Sequence, residues 1–367
     1  MLFFHDNNSR IYTLEELNAK KASFASASTI YMAILMVVGM IGNSLVLYVY
    51  GKRFRSSSTN SFILALSTFD IINCAIGMPT EIVDDQLPLM FSWEFGCKVL
   101  RFISFFSSGG SCFTLVIIAL DRFQRVCLGR AQMQAVWAKV VIVLVTIVAA
   151  VAVGPIIELA GIDTESTDVP YINTCDCAIS DVYKKTKWPL IYFTYLSGMI
   201  GLSLIIIVAT YTMIGLTVKR RLGKRNLKGK TVVKTMADIN REQDRKMRSE
   251  KTTKTFFLVT VLFIISYIPC SMIQLLRALT GFEPHTPRTE ILVNVGLRSY
   301  FLANAFNPFI YGYCNHKFRE ICVTLLVDLQ VTLMEEPRTK AHVYSLTDPN
   351  VSLSQRPNLS VTDTYYQ

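Results

Sequence analysis

The sequence predicts an all-α membrane protein, a seven-transmembrane helix bundle with a short amphipathic eighth helix. Of its 367 residues, 51% are hydrophobic and only 17% are charged, whereas a soluble domain carries about 25% charged residues. The apolar residues are concentrated in seven blocks, and each block reaches the roughly 20 residues that a helix needs to cross about 30 Å of hydrocarbon. These blocks are residues 29–50, 61–83, 99–120, 138–159, 189–216, 255–279 and 290–313.

The stretches around the blocks complete the predicted organisation, in which residues 29–313 form the membrane domain. Residues 1–28 are expected to be an extracellular N-terminus without a cleavable signal peptide, because they lack an apolar core followed by small residues. Residues 314–327 are too short to span and are predicted to form an amphipathic helix on the membrane surface. Its apolar face comprises Phe318, Ile321, Cys322 and Leu325. Residues 328–367 are rich in Ser, Thr, Pro and Asn and are predicted to be a disordered cytoplasmic tail.

The basic residues predict which side of the membrane each loop faces, because short cytoplasmic loops collect Lys and Arg. The first loop contains Lys52, Arg53 and Arg55, and residues 217–254 contain fourteen Lys and Arg against four Asp and Glu. We therefore expect a multi-pass plasma-membrane protein with its N-terminus outside and its C-terminus in the cytoplasm. The net charge of +10 is typical of contact with the lipid bilayer and an acidic cytosolic partner, and no nucleic acid partner is expected.

Three cysteines fall in the predicted outer segments, where an oxidising environment favours disulfides. Cys97 lies at the outer end of the third block, and Cys175 and Cys177 lie in the loop between the fourth and fifth blocks. A bond from Cys97 would hold this loop over the mouth of the bundle, but spacing does not distinguish Cys175 from Cys177 as its partner. Asn7 begins an Asn-Asn-Ser tripeptide, which is an N-glycosylation pattern on the outer side.

Two polar motifs interrupt the apolar blocks. The third block ends in Asp121-Arg122-Phe123, where the carboxylate can hold the guanidinium by charge-assisted hydrogen bonds. The seventh contains Asn307-Pro308-Phe309-Ile310-Tyr311, whose Asn and Pro leave hydrogen-bonding groups that lipid cannot satisfy. Polar groups at membrane depth face a packed or hydrated interior, and they therefore indicate function.

With these motifs in register, residues 28–325 resemble the rhodopsin-like (class A) G-protein-coupled receptors, and most of all the peptide and neuropeptide receptors. One motif per span carries the resemblance. The matching residues are Gly42-Asn43, Leu66 to Asp70, Pro79, Trp93, Phe95-Gly96, Asp121-Arg122-Phe123, Tyr211, Phe263, Tyr267, Pro269, Asn307-Pro308, Tyr311 and Phe318. The resemblance implies a receptor that a ligand biases between two states from outside.

The resemblance also implies roles for particular residues. Arg122 would be held by Asp121 at rest and released to a heterotrimeric G protein when the sixth span opens at Pro269. The set of residues implied for this G-protein switch is Asp121, Arg122, Phe123, Tyr211, Phe263, Tyr267, Pro269, Asn307, Pro308 and Tyr311. A buried carboxylate at Asp70 would anchor a polar cluster that holds an allosteric sodium ion. That cluster comprises Asp70, Ser111, Asn304 and Asn307.

The chain departs from the usual family residues at positions that bear on this switch. Tyr267 stands where Trp is usual in the sixth span, and Ala303 stands where Asn is common in the seventh. Ser249 occupies the position of the acidic residue that often pairs with Arg122, and Glu250 follows it. The switch is therefore expected to be tuned differently from that of most relatives.

The outer half of the bundle points to a class of ligand. Ser104 stands where amine receptors carry a carboxylate, and Phe301 stands where opsins carry the retinal lysine, which disfavours both ligands. Charged residues of both signs in this half favour a peptide ligand. The predicted pocket residues are Glu81, Arg101, Ser104, Gln274, Arg277, Arg298 and Tyr300. Two alternatives remain open at this point: these charges pair with one another, or the ligand is a non-peptide small molecule.

The sequence also bears on other functional classes and on cytosolic partners. A seven-span transporter is disfavoured because neither an inverted repeat nor paired broken helices are visible. No enzymatic activity and no cofactor other than the sodium ion are expected, because the four His residues are scattered outside the spans. The Ser and Thr residues of the tail suit receptor kinases and arrestin, and Cys322 is a candidate for palmitoylation beside basic residues.

Overall fold

The computed structural model describes residues 13–166, 173–225, 236–280, 282, 286–328 and 330. Six helices in this part of the chain are long and apolar enough to cross a membrane. The first span is α1 (Leu14–Lys52), and the second consists of α2 (Ser58–Ile72), a π-helical turn (Asn73–Gly77) and α3 (Met78–Gln86). The third is α4 (Glu94–Val126), and the fourth consists of α5 (Ala135–Val153) and α6 (Ile156–Leu159).

An outer hairpin, β1 (Ala160–Ser166) and β2 (Asn173–Ile179), and the short α7 (Asp181–Lys184) follow the fourth span. The fifth span is α8 (Trp188–Arg225), the sixth is α9 (Met236–Thr280), and the seventh is divided into α10 (Pro287–Leu297) and α11 (Phe301–Cys314). Helices α8 and α9 extend past the apolar blocks into the basic segment, as predicted.

Helix α1 begins at Leu14 rather than at residue 29, where the apolar block starts. Thr13 and Glu16 cap it reciprocally, with Thr13 Oγ1 accepting from the Glu16 amide at 3.2 Å. Asn18 then donates to the carbonyl oxygen of Gln86 at 3.0 Å and accepts from the amide of Leu89 at 3.1 Å. The polar extension is helical because its own cap and the outer end of the second span satisfy its hydrogen bonds.

The second span contains a π-helical turn that periodicity did not predict. The wider turn brings Asn73 against α4, where Ser107 Oγ donates to Asn73 Oδ1 at 2.7 Å. Gly77 lies beside this contact, and a Cβ at Gly77 would crowd Asn73 Oδ1. Such turns are frequent at functional sites, and this one places a polar contact between the second and third spans.

The seventh span, predicted as one block at 290–313, is interrupted at Arg298–Tyr300, between Leu297 and Phe301. Ser299, in the interruption, donates to the carbonyl oxygen of Ser266 at 2.7 Å. Ser266 precedes Pro269, whose ring interrupts the hydrogen-bond ladder of α9. The break in the seventh span is thus hydrogen-bonded to the proline-weakened part of the sixth.

The loop between the fourth and fifth spans forms an antiparallel hairpin in which Cys177 lies opposite Ile162. The sequence analysis did not predict these strands. The loop between the second and third spans runs beside the hairpin, because Phe91 donates its amide to the carbonyl of Cys175 at 2.8 Å. Cys97 forms a disulfide with Cys177, which decides between the two alternatives, and Cys175 is a free, half-buried thiol.

The described part of the C-terminal unit, considered by itself, contains a helix over residues 316–328. His316 Nδ1 lies 3.1 Å from Glu320 Oε1 along it. The face predicted to be apolar contains the buried Phe318 and the half-buried Ile321, Cys322 and Leu325. Its position on a membrane surface stays a prediction.

Candidate functional site

The outer end of the bundle contains a cluster of ion pairs centred on Arg101. Its guanidinium donates to Glu81 Oε1 at 2.6 Å and to Asp84 Oδ2 at 3.0 Å. The same group donates to the carbonyl oxygen of Cys177 at 2.9 Å. Arg101 therefore connects the second and third spans to the disulfide-bonded hairpin above them.

Arg298 provides the second cation of this outer ion cluster, which we define as Glu81, Asp84, Asp85, Arg101 and Arg298. Arg298 pairs with Asp85 and lies 3.6 Å from Glu81. Ser28 of α1 donates to the other Asp85 oxygen at 2.7 Å. Three carboxylates thus share two guanidinium groups, which leaves one negative charge in excess. Asp84 Oδ1 is a buried atom that has no hydrogen-bond partner among the described residues.

The structure brings some of the predicted pocket residues together and leaves others apart. Glu81, Arg101 and Arg298 meet in the cluster, so the alternative in which these charges pair with one another is the observed arrangement. Gln274 is exposed and Arg277 is half-buried, and within the described chain neither bonds to the cluster. The remaining two, Ser104 and Tyr300, belong to the layer below.

Asp84 and Asp85 are the cluster members that the sequence analysis missed as pocket residues. They follow Glu81 at positions i+3 and i+4, so a helix places all three on neighbouring parts of one face. That spacing is the signal that could have identified them. The acidic character continues into the hairpin, where burial raises the pKa of Asp176, against the opposing effect of Lys21 and Arg101.

An aromatic column descends from the cluster. Tyr300 lies 4.2 Å from Phe301 and 5.8 Å from Tyr267, measured between ring centroids. Tyr267 lies 4.2 Å from Phe263. Ser104 is buried near this level and donates to its own helix at the Leu100 carbonyl, 2.9 Å away. The substituted Tyr267 therefore contacts rings both above and below it.

A polar core lies at the bottom of this column. Asn304 and Asn307 each donate an amide hydrogen to Asp70, at 2.8 Å to either carboxylate oxygen. Asp70 is only 1% exposed. Beside it is a cavity of about 10 Å³, which is about the room of one water molecule. Phe263 and Tyr267 also line the cavity.

The residues of the polar core fit the cation that the resemblance implies. Ser111 Oγ and Asn307 Oδ1 are buried without a hydrogen-bond partner among the described residues, and both residues line the cavity with Asp70. A carboxylate with unsatisfied hydroxyl and amide oxygens is the ligand set that a hard cation takes. Ala303 lines the same cavity and contributes no oxygen from its side chain.

The inner end of the bundle contains the buried pair Asp121 and Arg122. The Arg122 side chain is 0% exposed and pairs with Asp121. It also donates to Thr252 Oγ1 of α9 at 3.0 Å and to Thr59 Oγ1 of α2 at 3.3 Å. The ring of Phe256 lies 5.3 Å from its guanidinium carbon. Arg122 thus joins the third span to the second and the sixth.

The contact from Arg122 to Thr252 was missed, because the family position that usually bears an acid is Ser249. The hydroxyl of Thr252, about one helical turn further along α9, accepts the hydrogen bond from Arg122 instead. Phe123, the third residue of the motif, is half-buried. Pro269 is exposed inside α9, in the half of that helix toward the outer cluster.

Two tyrosines predicted to belong to the switch are buried near the inner end. Tyr211 packs edge-on against Phe257, with ring centroids 5.5 Å apart. Tyr311 is 0% exposed and packs edge-on against Tyr50 at 6.1 Å. The hydroxyl of Tyr311 has no hydrogen-bond partner in the described part of the chain.

The predicted modification sites divide between the described and undescribed residues. Asn7 and the Ser and Thr residues of the tail beyond residue 330 lie outside the described residues. Cys322 is half-buried and not in a disulfide, and burial raises the pKa of its thiol. Its palmitoylation stays a prediction.

Comparisons with known proteins agree with this arrangement. Residues 42–311 match the family of 7 transmembrane receptors (rhodopsin family). Neuropeptide FF receptor 2 of Mus musculus is 26% identical over 302 residues, which cover 78% of this chain and 69% of the relative. Growth hormone secretagogue receptor type 1 of Homo sapiens is 25% identical over 304 residues, covering 80% and 78%. A blue-sensitive opsin of Apis mellifera is 23% identical over 295 residues, covering 79% and 75%.

The family match extends over most of the chain and includes all seven predicted spans in whole or in part. It confirms the predicted seven-helix fold and the multi-pass plasma-membrane location, with the seventh span in two pieces. The chain is therefore a member of the rhodopsin family of seven-transmembrane receptors.

Proposed function

We propose that this protein is a cell-surface receptor for an extracellular peptide and that it activates a heterotrimeric G protein. The observation that carries the proposal is the buried Arg122, bonded to Asp121 on its own helix and to Thr252 on α9. An arginine fully enclosed between helices at the basic, cytosolic end of the bundle is inaccessible to a G protein in this arrangement. Its release requires α9 to move away from α4.

The proposed motion begins at Pro269, in the outer half of α9. Pro269 weakens the helix there, because a proline inside a helix removes a backbone hydrogen bond and favours a kink. Opening at this point would carry Thr252 away from Arg122 and expose the guanidinium to the cytosol. The proposed orientation, with the N-terminus outside, rests on the basic inner loops and on the Cys97–Cys177 disulfide at the opposite end.

The peptide class of ligand is supported by the names of two similar proteins, neuropeptide FF receptor 2 and growth hormone secretagogue receptor type 1. The outer ion cluster refines this class, because its carboxylates outnumber its guanidinium groups by one. Both arginines are already paired with acids. The cluster therefore favours a peptide that brings a basic group to it, with Asp84 Oδ1 as the open acceptor.

We also propose a sodium ion in the polar core, held by Asp70, Ser111 and Asn307. When bound, it would supply the positive charge that the buried Asp70 carboxylate lacks among its described neighbours. The side chains that would hold it come from the second, third and seventh spans. Binding would therefore stabilise the arrangement in which these spans are close together.

A peptide screen tests the proposed function. Cells that express the full-length receptor are exposed to peptide libraries, and nucleotide exchange is measured on a panel of heterotrimeric G proteins. We expect at least one basic peptide to increase exchange only where the receptor is present. Activation by small metabolites alone would favour the non-peptide alternative, and solute uptake without exchange would favour a transporter.

Substitutions then test whether the cluster contacts the activating peptide. Asp84→Asn should lower its potency about tenfold or more, because a hydrogen bond to a charged group contributes about 1.5–3 kcal/mol. Asp163→Asn is the matched control, since Asp163 is an outer acid that pairs with Lys184 at 2.6 Å and lies outside the cluster. Equal effects of the two substitutions would contradict the contact. Arrestin and receptor kinases remain expected partners of the tail.

A further inference from the structure

The carboxylate of Asp121 is shared by two arginines of its own helix. Arg122 pairs with Oδ2 of this carboxylate, and Arg125 Nε lies 3.3 Å from the same oxygen. All three side chains are nearly enclosed, with 4% of Asp121, 0% of Arg122 and 10% of Arg125 exposed. One buried anion therefore has two buried cations in reach.

The two arginines differ in how they use that oxygen. Arg122 makes a hydrogen bond to it, whereas Arg125 Nε is a buried donor without a hydrogen-bond partner in the described chain. Arg125 is held in place from its other end, because its Nη2 donates to Ser58 Oγ at 2.7 Å. Ser58 is itself 0% exposed at the start of α2. Arg125 is thus fixed beside the carboxylate with an unused donor.

We propose that Arg125 is the replacement counterion of Asp121, which takes over the carboxylate when Arg122 leaves it. The inference rests on the proposed function, because it assigns a step in the release of Arg122 toward a G protein. Removing one partner of a buried ion pair leaves an uncompensated charge, and this is strongly destabilising. With Arg125 in reach, the departure of Arg122 leaves Asp121 paired. Arg125 is in this sense a positioning residue that lowers the free-energy cost of the active arrangement.

A double-mutant cycle tests the proposal without any ligand or G protein. Arg122→Gln, Arg125→Gln and the double variant are purified as full-length receptors in nanodiscs, and their melting temperatures are measured. A thiol-reactive dye reports unfolding through the buried Cys74 and Cys112. Each single variant keeps one arginine on Asp121, so its loss reflects only the other contacts of the removed arginine, such as those of Arg122 to Thr252 and Thr59. The double variant should lose about 5 °C or more beyond the sum of the two single losses.

The same cycle in an Asp121→Asn background isolates the carboxylate. There the excess loss should disappear, and the triple variant should be more stable than the double. If the double variant does not fold, the expected result is that adding Asp121→Asn restores folding. Additive losses, or a triple variant no better than the double, would overturn the proposal. Ser58→Ala is the control for the other contact of Arg125 and should not reproduce the excess.

Nucleotide exchange supplies the functional readout. In the receptor without added ligand, Arg125→Gln should lower exchange on the responsive G protein about tenfold or more, and Arg125→Lys should recover part of the rate. In the Asp121→Asn background, Arg125→Gln should have no further effect. A decrease that persists there would mean that Arg125 contacts the G protein itself and would contradict the replacement role. A receptor that stimulates no G protein would refute the proposed function, while the melting cycle still tests the ion pairs.

Discussion

Asn43 donates its side-chain amide to the backbone carbonyl oxygen of Asn304 at 2.8 Å. Asn304 lies four residues before Pro308, so its carbonyl would normally accept from the amide that proline lacks. The first span thus satisfies the acceptor that the proline of the seventh span leaves open. Gly42 allows this approach, because a Cβ at Gly42 would crowd the Pro308 ring.

Asn43→Ala is therefore expected to lower the free energy of unfolding by about 1–3 kcal/mol, the cost of a buried acceptor without a donor. The measurement is thermal unfolding of the purified receptor. Thr68→Ala is the matched control, because Thr68 is exposed and its hydroxyl bonds to the Leu64 carbonyl of its own helix at 2.8 Å. Equal losses in the two variants would show that the Asn304 carbonyl does not need Asn43.

Thr252→Ala is expected to raise nucleotide exchange in the absence of ligand. The substitution removes the hydrogen bond of 3.0 Å between α9 and Arg122, so the closed arrangement loses about 1.5–3 kcal/mol, as for hydrogen bonds to charged groups. Thr255→Ala serves as the control, since Thr255 bonds to its own helix at the Lys251 carbonyl, 3.0 Å away. Unchanged exchange in Thr252→Ala would mean that this bond does not hold the sixth span closed.

The positions of the motifs could be predicted from the sequence because each lies in an apolar helix with a fixed rise per residue. The resemblance to the receptor family implied that Asp70, Asn304 and Asn307 meet, and both Asn side chains bond to Asp70 at 2.8 Å. The contact of Arg122 with the Thr252 hydroxyl, in place of the family's acid at the position of Ser249, could not be predicted. Which residue of α9 reaches Arg122 depends on how α9 packs against α4, and no local sequence pattern contains that information.

Two breaks in regular helix were likewise absent from the sequence pattern. The π-helical turn at Asn73 and the interruption at Ser299 are both stabilised by contacts with another span, to Ser107 and to the Ser266 carbonyl. Hydrophobic periodicity reports which residues avoid water, and it contains no information on such tertiary hydrogen bonds. The hairpin is missed for a related reason, since its strands pair with each other and with the loop at Phe91 rather than with a long apolar partner.

The choice between the two outer cysteines leads to a further prediction. Cys177→Ser should reduce surface expression strongly, because loss of a native disulfide costs about 2–5 kcal/mol. Cys175→Ser should leave surface expression close to normal, since Cys175 is a free thiol whose backbone, not its sulfur, pairs with Leu89 and Phe91. Surface labelling of both variants measures the difference. The reverse order of the two effects would show that Cys97 bonds to Cys175.

Tyr311→Phe is expected to reduce nucleotide exchange while leaving surface expression and melting temperature nearly unchanged. The Tyr311 hydroxyl is buried without a partner in the described part of the chain, so its removal takes no bond from the closed arrangement. If the hydroxyl forms a hydrogen bond only after opening, its loss would destabilise the open arrangement by about 0.5–1.5 kcal/mol, or roughly a twofold to tenfold fall in exchange.

Tyr50→Phe is the matched control with the opposite pattern, because the Tyr50 hydroxyl already accepts from Asn315 at 3.0 Å and its loss should lower the melting temperature. Tyr311→Ala is a poorer test, since emptying the space of a fully buried ring costs about 3–5 kcal/mol and would reduce expression along with signalling. Full exchange activity in Tyr311→Phe would show that the hydroxyl has no part in the active arrangement.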